Sequence, residues 1–113
     1  MGGPSTYSGT GGGAPVNNCG NIFEFWVLFQ DEIRLIFSDF KVGQEVKLKL
    51  IKDKLPKLEV VRVSDGLLIG LVPPSLSMLI KCIQNGWQYY GNILKIEGNE
   101  IDPKIYVRLK GEE

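Results

Sequence analysis

Lysine is the charged residue type that this chain concentrates most. Lys41, Lys47, Lys49, Lys52, Lys54 and Lys57 place six positive charges in 17 residues, and Glu45 and Asp53 reduce the sum to plus four. Residues 45–51 alternate apolar and polar, so Lys47 and Lys49 share one exposed face of a strand, with Lys52, Lys54 and Lys57 on the loop that follows. Such a row of ammonium groups can track phosphates. About four contacts on duplex DNA give a log–log salt slope near −3.6, roughly a hundredfold loss between 50 and 200 mM salt. The same residues also describe a solvated edge strand that lysines protect from aggregation. Stacking partners for bases are Trp87, Tyr89, Tyr90 and Tyr106, each worth ~1–3 kcal/mol per base if exposed. The competing role for Trp87 and one tyrosine is packing over the end of a helix.

Other chemistry is largely excluded. The chain has no histidine, which removes imidazole acid–base work, Ser-His-Asp and Cys-His arrangements, and nearly all zinc sites. Asp31, Glu32, Glu97, Glu100 and Asp102 read as turn residues without the spacing of a calcium loop. Gly11, Gly12 and Gly13 follow no strand and precede no Lys-Ser/Thr, so they form no phosphate loop. Cys19 and Cys82 allow a disulfide between the head of the chain and the helix. The expectation is instead a free Cys19 thiol and a Cys82 buried as a small apolar side chain. Nothing near Cys19 in sequence would lower its pKa. We therefore expect no enzyme, no cofactor and no metal.

The formal net charge is zero, which does not mark a strongly basic nucleic-acid binder. No apolar run reaches the ~20 residues of a membrane span. The first residues lack the pattern of a secretory signal. Met1-Gly2 with Thr6 fits a myristoylation pattern only formally, without basic neighbours. A cytoplasmic location is expected.

The elements that must position these groups are legible in part. At 113 residues one domain is the default. Residues 1–20 hold seven glycines, two prolines and no charged side chain, a flexible head too poor in apolar surface to order itself. Residues 21–111 are left for a single barrel domain. Its best-patterned part is 59–86. Val60, Val61 and Val63 favour a strand. Asp65-Gly66 suggests a type I′ hairpin turn. Leu67, Leu68, Ile69, Leu71 and Val72 continue as a second strand, where Gly70 signals a bulge or a close backbone approach. Pro73 and Pro74 end it.

The pattern predicts a helix over 75–85, with Ser75 as N-cap. Leu76, Leu79, Ile80 and Ile83 form its apolar stripe, and Gly86 stops it. Further strands are expected over 22–29, 33–37, 45–51, 88–96 and 105–109. The fold class is mainly β: a small antiparallel β-barrel of about six strands, with one short helix packed at one end.

From 42 to 98 the order of signals resembles the HIRAN domain, a small β-rich module. The matching features are Gly43 and Val46, the alternating strand, the Asp65-Gly66 turn, and Ile69-Gly70-Leu71-Val72-Pro73 leading into the short helix and Gly86. The resemblance covers about half the chain. It implies a β-rich fold and binding of single-stranded DNA ends. The family's acidic, asparagine-bearing loop is replaced here by Lys52-Asp53-Lys54-Leu55-Pro56-Lys57, so no binding residue is carried over. The expected function is a non-catalytic binding module. Its ligand is either a single-stranded nucleic acid, held weakly by Lys47, Lys49, Lys52, Lys54, Lys57, Trp87, Tyr89 and Tyr106, or a protein partner.

Overall fold

The computed structural model describes residues 18–29 and 37–113. Six strands, β1 (Ile22–Trp26), β2 (Glu45–Ile51), β3 (Lys57–Arg62), β4 (Leu68–Leu71), β5 (Gln88–Gly98) and β6 (Pro103–Glu112), are joined by one short helix, α1 (Leu79–Gln84). They form one sheet in the order β1-β6-β5-β2-β3-β4, and every pair is antiparallel. The two edges then meet. Leu28, just past β1, exchanges two backbone hydrogen bonds with Leu71 of β4, at 2.9 and 2.7 Å. The sheet thus curls into the small antiparallel barrel expected from the strand spacing, and this bridge covers an edge that would otherwise offer unpaired amides.

Alternation explains the strands. On β6, Ile105, Val107 and Leu109 are fully buried while Lys104, Arg108 and Lys110 face out. On β2, Val46 is buried and Lys49 is exposed. On β5, Tyr89 and Ile93 are buried and Tyr90 points out. With Val60, Ile69 and Leu79 these residues fill the barrel. Truncating a fully buried leucine such as Leu109 to alanine costs about 2–5 kcal/mol.

Two glycines allow close backbone approach. At Gly91 a Cβ would overlap the Arg108 carbonyl on the neighbouring β6, and at Gly70 it would strike the Val27 side chain and the Leu28 carbonyl. The Gly70 contact lies beside the Leu28–Leu71 closure, and the β3–β4 register shifts between Val60 and Val61 opposite it. Both features expected of Gly70 are present.

The β3–β4 connection is longer than a two-residue type I′ turn. Arg62 N–H donates to Leu67 O and Gly66 N–H donates to Arg62 O, so the loop is 63–66. Gly66 supplies a positive φ of 74°. Asp65 determines the shape. Its carboxylate accepts from Arg62 Nε and Nη2 at 3.1 and 2.8 Å and from Leu67 N–H at 3.1 Å. These bonds, that from Arg62 first, hold its pKa down from 3.8 to about 2.

The expected helix is broken in two. Pro74–Leu76 form a 3-10 turn with Pro73 at the cap position and no side-chain cap bond. The α-helix proper starts only at Leu79. Ser75 is therefore no N-cap, because the double proline leads into a tighter turn. The helix ends as its sequence indicates. Gly86 has φ of 103°, Gly86 N–H donates to Ile83 O, and Trp87 N–H donates to Cys82 O at 3.0 Å, which is a Schellman motif.

Cys19 and Cys82 are joined by a disulfide, against the expectation of two free thiols. Asn18–Gly20 form a 3-10 turn that the bond ties to α1, and this tertiary neighbourhood is invisible at a separation of 63 residues. The strand expected over 33–37 lies outside the described residues except for Phe37, which is buried. Asp31, Glu32 and residues 1–17 of the head also lie outside them.

Candidate nucleic-acid interface

The register of three strands builds the clearest surface constellation. Lys47 on β2 is directly opposite Tyr90 on β5, and Tyr90 is directly opposite Lys110 on β6. Directly opposed residues point to the same face, so the three side chains make one outward row. Strands lie ~4.8 Å apart, which puts the two lysine Cα atoms about 10 Å from one another with the ring between them. Tyr90 is 43% exposed, and its hydroxyl donates to Gln88 Oε1 at 2.9 Å. An exposed ring flanked by two ammonium groups can stack a base and meet the phosphates on either side.

A cleft opens beside this row. β2 and β5 are hydrogen-bonded only through Glu45–Lys47 and Tyr90–Asn92. β2 then continues along β3 while β5 begins at Gln88. The gap is a cleft of about 370 Å³ whose lining includes Lys47, Lys49, Ile83, Trp87 and Tyr90. Tyr90 also borders a depression of about 470 Å³ lined by Glu45, Val63, Gly91 and Asn92. The ring therefore stands as a ridge between two hollows.

The sequence-expected lysines and Trp87 divide into three groups. Lys47, Lys49 and Trp87 come together at the cleft. Lys52 and Lys54 are exposed on the β2–β3 loop. Lys57 is on the rim of a separate apolar groove of about 310 Å³, between Leu28, Leu58, Leu71 and Ile80. The six lysines are thus not one patch. Glu59 also stands directly opposite Lys49, a cross-strand acid that a run-length count of charge does not see.

One aromatic assignment is corrected, and a second residue has its own neighbours. Tyr89 is 1% exposed; its hydroxyl donates to Cys19 O at 2.7 Å, and burial pushes its pKa up. It is core, with no face free for a base. Tyr106 stands on the outward side of β6, four residues along the strand from Lys110. Its ring packs on Trp26 at 4.9 Å, Lys95 Nζ stands 5.3 Å from its centroid, and its hydroxyl donates to Glu24 Oε1 at 3.3 Å. Burial and the nearby Glu24 carboxylate raise its pKa. Glu24 also meets Arg108 at 3.7 Å. Lys110 is the member of the row that linear reading misses, since only the β5–β6 register shows that it flanks Tyr90.

Among the described residues no three His, Cys, Asp or Glu side chains gather as a metal site, and no helix is long and apolar enough to cross a membrane. Compared with known proteins, the chain matches no family model, no curated protein and no solved structure.

Proposed function

We propose that the protein is a non-catalytic β-barrel binding module that holds short single-stranded nucleic acid on the outer face of β2, β5 and β6. The observation that carries this reading is the Lys47–Tyr90–Lys110 row beside the Trp87 cleft. A base stacks on Tyr90, and the backbone runs across the strands between the lysines. Trp87 and Lys49 receive the next nucleotide. Binding is weak and tolerant of sequence, because every base offers a π-face and no paired donor and acceptor are aimed at a base edge. Glu45 and Glu59 on the same face keep it weak. The HIRAN resemblance over 42–98 supports the same class of ligand, although no residue of this face is taken from that family. Cys19, on which a catalytic reading of the sequence rests, is bonded to Cys82, which favours binding over catalysis. The site works equally in the cytoplasm, the location expected from the sequence.

A fluorescence titration with labelled oligothymidylate tests the reading. Three phosphate contacts on a single strand give a log–log salt slope near −2.1, about a twentyfold loss between 50 and 200 mM salt. Binding with that slope, weakened by Tyr90→Ala, supports it. Absence of binding at 50 mM salt removes it.

A protein partner is the second reading, favoured by the apolar groove between Leu28, Leu71 and Ile80. Leu71→Lys in that groove would abolish association with such a partner and leave oligothymidylate binding unchanged.

A further inference from the structure

We infer that the Cys19–Cys82 disulfide is a redox gate on the Trp87 side of the cleft, an inference that rests on the nucleic-acid reading of that cleft. Four contacts converge there. Cys82 on α1 is bonded to Cys19. Gly20, the next residue, backs the Trp87 ring so closely that an added Cβ would stand 3.2 Å from two of its carbons. Trp87 N–H donates to Cys82 O at 3.0 Å. Tyr89 O–H donates to Cys19 O at 2.7 Å. Ile83 and Trp87, on either side of this knot, line the cleft. The same covalent bond therefore holds the turn that backs Trp87 and the helix that presents it.

A dithiol reductant opens the gate. Its thiolate attacks one sulfur, the Cys19–Cys82 bond breaks, and the dithiol closes its own disulfide. Two electrons and two protons pass to the protein, leaving two thiols. The Asn18–Gly20 turn then loses its covalent tie to α1 while keeping its packing on β6 and the hydrogen bond from Tyr89, and the backing of the Trp87 ring loosens. Disulfides that form in a cytoplasm are usually transient or redox-sensing, which suits a gate better than a permanent staple.

The test uses the full chain with Trp26→Phe, so that Trp87 is the sole tryptophan. Trp87 emission, far-UV circular dichroism and affinity for oligothymidylate are measured before and after a dithiol reductant, and again with Cys82→Ser. The expected result is an unchanged sheet signal, a red-shifted Trp87 emission and a roughly tenfold loss of affinity, the size of one stacking contact. A red shift without binding in either state supports the gate and refutes the nucleic-acid reading. Unchanged emission and affinity overturn the gate. So does loss of the sheet signal on reduction and in Cys82→Ser, since the bond would then be a staple for the whole fold.

Discussion

At the scale of single residues, three side chains carry distinct loads. Tyr90 is the exposed ring between Lys47 and Lys110. Tyr90→Ala should weaken oligothymidylate binding by about tenfold, the equivalent of one lost stack, with no change in thermal midpoint. Tyr106→Ala should leave affinity unchanged, because that ring is engaged with Trp26 away from the row. Asp65 is a stability residue. Its native pKa of about 2 lies below the ordinary 3.8, so its stabilisation is present above pH 4 and lost as pH falls from about 4 toward 2. Asp65→Asn should therefore destabilise at neutral pH and flatten the acid limb of the stability profile. Chemical denaturation at a series of pH values checks this.

Elements show where local signals suffice and where they do not. The inward set Ile105, Val107 and Leu109 was legible, because alternation on β6 is set by the pleat alone. The Gly86 stop was legible because only a left-handed residue completes that cap. The short 75–85 helix was only partly so: a stripe of leucine and isoleucine does not say whether a double proline leads into an α-helix or a 3-10 turn. At the β3–β4 hairpin, the dipeptide Asp65-Gly66 was read without Arg62, whose bidentate bond sets the loop length. The proposed site was legible to the same degree. Lys47, Lys49 and Trp87 were found from residue type. Lys110 was not, because its place depends on the β5–β6 register. Tyr89 and Tyr90 are adjacent in sequence, and only burial separates the core ring from the exposed one. Gly91→Ala is the sharpest test of the element packing. The added methyl would meet the Arg108 carbonyl across β5–β6, at a cost of about 3 kcal/mol, read as a lowered denaturation midpoint.

For the molecule as a whole, two ties act on the same N-terminal strand. The Leu28–Leu71 bridge closes the barrel, and the Cys19–Cys82 bond closes a loop of 63 residues. In the chain-entropy account a loop of that length stabilises by up to about 4 kcal/mol, a large part of the 5–15 kcal/mol of a small domain. Guanidinium denaturation with and without reductant should show that difference as a lowered midpoint in a protein that still folds.

The central claim is that this face binds single strands through Tyr90 and its flanking lysines. Its most direct test is a titration of the oxidised full chain with labelled oligothymidylate of about ten nucleotides, at 50 and 200 mM salt, beside Tyr90→Ala and Lys47→Glu/Lys110→Glu. The account predicts a Kd of about 10–100 µM at the lower salt, about twentyfold weaker at the higher, with each variant weaker again. Affinity that is absent at 50 mM salt, or unchanged in both variants, would contradict it.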